Sequence, residues 1–101
     1  MNQQMIMKLR KLQKEMQETQ AMIESTCFNG SVKGVVSVEV MGTKEIKSVQ
    51  IDPNFSIEDE DDKEVFNDAL VAACNEAYKK IEKFTEEHMG KYAALAGGGL
   101  F

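Results

Sequence analysis

The side chains best suited to binding a ligand in this chain are four cations close to its N-terminus, within a segment that has the composition of a helix. They are Lys8, Arg10, Lys11 and Lys14. On a helix they occupy an arc of roughly 160°, opposite a stripe of apolar side chains. Such an array can neutralise phosphate groups without reading bases. The alternative is a solvated helix face, in which Lys11 and Lys14 pair with acids four residues further along the chain.

Three further lysines fall at predicted turn and strand positions, where they either extend a phosphate footprint or simply keep the surface soluble. They are Lys33, Lys44 and Lys47. Lysines also occur on the second predicted helix, but there they alternate with glutamates, and we favour a solvated face. That set is Lys79, Lys80, Lys83 and Lys91.

The remaining reactive side chains predict no catalytic site. Five adjacent acids at 58–62 lack the glycine and the alternating spacing of an EF-hand loop, so we interpret them as a loop that caps a helix. His88 is the only histidine, and no phosphate-binding glycine loop is present. Cys27 and Cys74 are far apart in sequence and are expected to be reduced. We therefore expect a protein that is not an enzyme and that uses no cofactor, metal or small-molecule substrate.

The charge of the chain is unevenly distributed. The net charge is −5, but residues 52–64 carry seven acids and one lysine, whereas residues 1–33 carry five cations and three acids. The N-terminal part is therefore basic even though the whole chain is acidic. No apolar run reaches the length of a membrane span and the N-terminus has no apolar core of a signal peptide, so we expect a cytoplasmic protein that does not bind membranes.

Hydrophobic periodicity predicts the helices and strands that carry these residues. Residues 2–25 predict a long helix with a coiled-coil-like apolar seam. The seam consists of Met5, Leu9, Leu12, Met16, Thr19 and Ile23. Residues 26–51 predict a small three-stranded antiparallel sheet, with a turn at Asn29-Gly30, an alternating valine strand at 36–40 and a hairpin across Gly42. Asp52-Pro53 is expected to end the sheet.

Residues 52–61 predict an acidic loop, 62–89 a second long helix capped by Asp61 and stopped at Gly90, and 90–101 a flexible tail. The whole chain is thus one α+β domain. The inner face of the second helix is predicted to contain Phe66, Ala69, Leu70, Ala73, Ala77, Ile81, Phe84 and His88.

Helices of about 36 and 42 Å exceed what one small sheet can cover, so we expect them to protrude and a homodimer to form. The expected interface residues are Val36, Val38, Val40, Phe66, Leu70, Ala73 and Ala77.

The ordered set of segments resembles the YbaB/EbfC family of bacterial nucleoid-associated proteins. The similar stretches are residues 5–13, 36–42, 49–53, 61–64, 70–77 and 88–91, followed by a glycine-rich end that closes in Leu100-Phe101. The resemblance implies an α–β–β–β–α protomer, a tweezer-like homodimer with protruding helices, and binding of duplex DNA with little sequence preference. It also implies a location in the nucleoid and an effect on gene expression.

A second function stays open at this point. Long helices around a small sheet also suit a chaperone-like adaptor that grips partner proteins through its apolar seam. The dependence of binding affinity on salt concentration distinguishes the two hypotheses, because phosphate binding weakens steeply with rising salt and apolar contacts do not.

Overall fold

A computed structural model describes residues 2–95 of the chain. The elements follow the order α1 (Gln3–Ser25), β1 (Cys27–Val32), β2 (Val36–Met41), β3 (Ile46–Ile51) and α2 (Glu60–Leu95). The strands form one antiparallel sheet in the order β1-β2-β3. Two long helices and a three-stranded antiparallel sheet confirm the predicted α+β fold class.

Helix α1 has hydrogen-bonded caps at both ends. The side chain of Asn2 accepts a hydrogen bond from the Met5 backbone N–H at 2.8 Å, which satisfies one of the free donors of the first turn. At the other end, the Thr26 hydroxyl donates to the Met22 carbonyl oxygen at 2.6 Å and the Thr26 backbone is extended. The chain therefore passes directly from α1 into β1.

The predicted turn at Asn29-Gly30 is wrong, because both residues lie inside β1. The β1–β2 turn instead occupies residues 33–35, where Gly34 has a φ of 81°. Gly30 has a different role: a Cβ atom on it would overlap the carbonyl oxygen of Ala73 in α2 and lie 2.9 Å from the Ala77 nitrogen. The glycine lets a helix backbone approach the strand.

The β2–β3 hairpin confirms the predicted turn across Gly42. The Met41 N–H donates to the Glu45 carbonyl at 2.8 Å and the Lys44 N–H donates to the Met41 carbonyl at 2.7 Å. Strand β3 ends at Ile51, immediately before Asp52-Pro53, as expected from the missing donor of proline.

Helix α2 begins earlier and ends later than predicted. Asp59, rather than Asp61, is the N-cap residue: its carboxylate accepts from the Asp62 N–H at 2.8 Å, and the Asp62 carboxylate accepts from the Glu58 N–H at 3.0 Å. The helix continues through Gly90 to Leu95, so the predicted stop at Gly90 and a tail from residue 90 are wrong. Glycine interrupts a helix only weakly when its neighbours favour the helix. The rest of the predicted tail, 96–101, lies outside the described residues.

The core lies between α2 and the first two strands. It consists of Phe28, Val36, Val38, Val40, Ala69, Ala73, Ala77 and Ile81. The predicted inner face of α2 is thereby confirmed, with Phe66, Leu70 and Phe84 packed against this cluster. His88 sits one turn beyond Phe84, and their ring centroids are 4.0 Å apart.

The molecule is elongated rather than spherical. The radius of gyration is 19.7 Å and the principal extents are 70 × 21 × 15 Å, whereas a compact chain of this length has a radius of gyration of about 13 Å. Helix α1 contacts α2, which in turn covers β1 and β2. The expectation that the helices protrude is confirmed.

Candidate nucleic-acid interface

The four cations of α1, which we call the cationic arc (Lys8, Arg10, Lys11 and Lys14), are all exposed. Among the residues whose side chains are described, the first three form no salt bridge. Lys14 is the exception, with its Nζ 4.0 Å from Glu18 Oε1 in a solvent-exposed pair that contributes little to stability. The sequence also allowed Lys11 and Lys14 to be neutralised by acids four residues further along the helix. Of these two lysines, only Lys14 forms such a pair.

The side of α1 opposite the cationic arc is apolar and partly buried. Of the predicted seam, Ile23 is buried and Leu9, Leu12 and Met16 are partly buried. Helix α1 packs against α2 along this side, and Tyr92 near the end of α2 is 3% exposed. One face of α1 is thus anchored by apolar contacts while the other presents charge to solvent.

The structure does not bring the other three predicted lysines to the cationic arc. Lys33 lies in the β1–β2 turn and Lys44 in the β2–β3 turn, which are at opposite ends of β2. A strand of that length separates them by about 20 Å. Lys47 is exposed on β3. Each of these lysines can contact a phosphate, but the seven cations do not form one continuous patch in the protomer.

The fold brings together one pair of lysines that was not predicted from the sequence. Lys44 of the hairpin and Lys79 of α2 line the same surface groove, together with Asn75, Tyr78 and Glu82. The Tyr78 hydroxyl donates to the Lys44 carbonyl at 3.5 Å. The alternation of lysine and glutamate along α2 gives no sign of this, because the groove depends on where the hairpin meets the helix.

Lys80, in contrast, has a structural role. Its Nζ donates to the Asn29 carbonyl oxygen of β1 at 2.8 Å and lies 3.4 Å from Glu76 Oε1. The hydrogen bond from Lys80 to Asn29 links α2 to β1 next to Gly30, where the two backbones approach most closely. Lys80 is therefore a poor candidate for a phosphate contact.

A polar cluster lies on the sheet face that points away from α2. Glu39 accepts hydrogen bonds from Ser48 Oγ at 2.9 Å and from Cys27 Sγ at 3.3 Å. The bond from Ser48, reinforced by the Cys27 bond and by the charge of Lys47, lowers the pKa of the Glu39 carboxyl. Desolvation, together with the bond to Glu39, raises the pKa of the Cys27 thiol, which disfavours the thiolate form of this free cysteine.

The acidic run has a structural explanation in the capping bonds of Asp59 and Asp62 described above. Across the described residues, no three His, Cys, Asp or Glu side chains are grouped so as to hold a metal ion. Neither described helix has a segment long and apolar enough to span a bilayer.

The structure places five of the predicted interface residues in the protomer's own core. Val36, Val38, Val40, Ala73 and Ala77 are at most 2% exposed. Side chains already buried in their own chain have no surface left for a second copy. Phe66 and Leu70 are only partly buried and keep some surface.

Strand β3 exposes apolar side chains beside the core. Its Ile46, Val49 and Ile51, which we call the β3 row, pair with Val40, Val38 and Val36 and so point to the same side of the sheet as the buried valines. They are nevertheless 46%, 45% and 49% exposed, because α2 lies over β1 and β2. Alternation along β3 places Val49 and Ile51 on one face, and the register shift between Glu39 and Val40 brings Ile46 to the same face. How far the helix covers that face depends on tertiary packing.

A small sheet flanked by two long helices, one of which presents an exposed cationic face, defines a class of small, elongated proteins suited to contacting the phosphates of nucleic acids. The chain belongs to the YbaB/EbfC DNA-binding family, whose model matches residues 1–96.

Curated relatives from several bacteria are similar to this chain. It is 46% identical over 79 residues to a nucleoid-associated protein of Caldicellulosiruptor saccharolyticus, an alignment that covers 78% of this chain and 65% of the relative. It is 42% identical over 94 residues to a nucleoid-associated protein of Lactococcus lactis, covering 91% and 93% of the two chains. A Clostridium acetobutylicum protein with the same description is 41% identical over 95 residues, covering 93% and 80%.

Proposed function

We propose that this protein binds duplex DNA as a homodimer, with little sequence preference, in the nucleoid of the bacterial cytoplasm. The observation that carries the proposal is the cationic arc, whose side chains are exposed on a helix that protrudes from the sheet. Membership of a DNA-binding family and relatives described as nucleoid-associated support DNA as the source of the phosphates.

The arc favours phosphate contacts over base recognition. Its long side chains each offer a charge to any nearby phosphate, and phosphate contacts carry no sequence information. The remainder of the chain is acidic, with a net charge of −5 for the whole, so contact with DNA is expected mainly through the basic helix. Lys33, Lys44 and Lys47 are secondary contacts in this proposal. Occupation of many sites along a chromosome would also affect gene expression by competing with other proteins for DNA.

The β3 row supports the homodimer. Three aliphatic side chains beside the core are about half exposed, and apolar patches of this kind mark interaction surfaces. A second copy packed over the row would complete the hydrophobic layer that α2 leaves open. A dimer would also present two cationic arcs, which raises the number of simultaneous phosphate contacts.

A salt titration on random-sequence duplex tests the proposal. If four of the eight cations in a dimer contact phosphates, the slope of log K against log salt is about −3.6, and affinity falls by about two orders of magnitude between 50 and 200 mM salt. Changing all four residues of the arc to Gln keeps helix propensity and removes the charge. This variant is expected to remain folded but to lose most of its affinity and most of the salt slope.

A charge-matched control carries Lys63→Gln, Lys79→Gln, Lys83→Gln and Lys91→Gln. It removes the same number of cations from α2, and we expect it to retain most of the affinity. Equal binding by the parent and the arc variant would contradict the assignment. Absence of duplex binding by the parent at 50 mM salt would favour the adaptor function instead.

A further inference from the structure

The first turns of α1 carry an unusual group of exposed apolar side chains. Met5, Ile6 and Met7, which we call the apolar tip, are 46%, 36% and 64% exposed. Consecutive helical residues point about 100° apart, so the tip is apolar on three sides of the helix. Only Met5 belongs to the seam that continues towards α2, and Ile6 and Met7 are both outside the core formed by the described residues.

The tip sits in a purely cationic setting. Residues 2–14 contain the four cations of the arc and no acid, and the first turn of α1 contains no acidic residue. The free N–H groups at the start of the helix add partial positive charge. Lys8, Arg10 and Lys11 follow the tip within about 8 Å along the helix axis, given a rise of 1.5 Å per residue. A partner that covers the tip must therefore be polyanionic and must also offer an apolar slot.

We infer that the apolar tip inserts between base pairs of bound duplex DNA and kinks it, while the neighbouring cations hold the flanking phosphates. This inference rests on the proposed function. Methionine and isoleucine are among the side chains that proteins wedge into base steps, with kinks of about 20–90°. Flexible pyrimidine–purine steps such as TA unstack more readily than stiff A-tracts, so they are the expected sites of insertion.

The geometry favours a duplex over an anionic membrane. A helix that lies on a membrane needs one continuous apolar face. The apolar face of α1 turns partly inward against α2 from Leu9 onwards, whereas the tip points to three sides over a rise of only about 3 Å. Because the three side chains point to different sides, one of them enters a base step, and Met7, the most exposed, is the best placed.

The test measures bending separately from binding. Duplexes of about 30 base pairs, far shorter than the persistence length, carry a fluorescent donor and acceptor at their ends and either central TA steps or an A-tract. The parent protein is expected to raise energy transfer on the TA duplex and to raise it less on the A-tract. A triple variant with Met5→Gln, Ile6→Gln and Met7→Gln should lose most of the rise, while its affinity, measured by anisotropy, stays within about tenfold because the phosphate contacts remain.

A matched pair of single variants tests whether position matters. Met7→Gln should reduce the rise in energy transfer, whereas Met22→Gln, an exposed methionine on the same helix beyond the arc, should not. Binding by the parent without bending, or equal bending by the parent and the triple variant, would overturn the wedge and leave the proposed function standing. Absence of duplex binding by the parent would overturn both.

Two further measurements identify competing uses of the tip. Conversion of the triple variant to a monomer in sedimentation velocity would assign the tip to contacts between copies and overturn the wedge. Cosedimentation of the parent with phosphatidylglycerol vesicles, lost in the triple variant while DNA bending is unchanged, would assign it to a membrane.

Discussion

Gly30 of β1 and Ala73 of α2 meet backbone to backbone, because a Cβ atom on Gly30 would overlap the Ala73 carbonyl oxygen and lie 2.9 Å from the Ala77 nitrogen. The helix offers only small side chains at this crossing, and both alanines are fully buried. The separation between helix and sheet is therefore set by a glycine on one side and alanines on the other.

The substitution Gly30→Ala is accordingly expected to destabilise the protein. The added methyl group meets helix backbone rather than a movable side chain, so the free energy of unfolding should fall by at least about 2 kcal/mol. Urea denaturation followed by circular dichroism, at a fixed protein concentration, measures the change.

Gly90→Ala is the matched control for this prediction. Gly90 lies within α2 and a Cβ there would have no neighbour within 4 Å among the described atoms. Alanine should therefore stabilise the helix by about 0.5–1 kcal/mol. Equal stability of the Gly30→Ala variant and the parent would show that β1 and α2 do not pack this closely in solution.

The β3 row is expected to be required for dimerisation. Val49→Lys places a charge in the middle of the row and should yield a monomer at micromolar concentration, as measured by sedimentation equilibrium. Gln50→Lys introduces the same charge at the next residue, which is exposed on the opposite face of the sheet, and should leave the association state unchanged. A monomeric parent would refute the homodimer, and a dimeric Val49→Lys variant would move the interface away from β3.

The carboxyl group of Glu39 should titrate below its ordinary pKa of 4.5, because Ser48 and Cys27 donate hydrogen bonds to its charged form. Since the folded-state pKa is lowered, the stabilisation from this group is present above the unfolded value and is lost as the pH falls through the folded value. A carbon-13 NMR titration of the Glu39 side chain measures the midpoint. Ser48→Ala should raise that midpoint, and a midpoint unaffected by Ser48→Ala would show that the hydrogen bond does not form.

Glu18 should restrain DNA binding through its proximity to Lys14. The two side chains form an exposed pair with a separation of 4.0 Å, so Glu18→Gln frees Lys14 and removes a negative charge near the phosphates. We expect a gain in affinity of about two- to threefold, in line with the energy of an exposed pair. Glu64→Gln removes the same charge at the far end of the molecule and should have no effect; an equal gain in both variants would indicate only a change in net charge.

Much of the architecture follows from local patterns in the sequence. The composition of residues 2–25, the alternation of Val36, Val38 and Val40, the turn at Gly42 and the stop at Pro53 each correspond to an observed feature. These signals are readable because helix propensity, side-chain alternation and proline geometry act over a few residues. The ends of α2 were harder to predict, because Asp59 competes with Asp61 for the cap and helix formers flank Gly90.

Local sequence patterns are enough to establish which side chains carry charge and which face of each element is apolar. What covers those faces depends on the tertiary structure: α2 crosses β1 at Gly30, which pairs with Val38 inside the sheet, and five of the seven predicted interface residues fill the protomer's own core. It also left the β3 row and the apolar tip exposed, since α2 reaches two strands of three and packs against α1 behind the tip. The reason is physical, because burial depends on the relative placement of elements distant in sequence, whereas periodicity reports only the direction in which a side chain points.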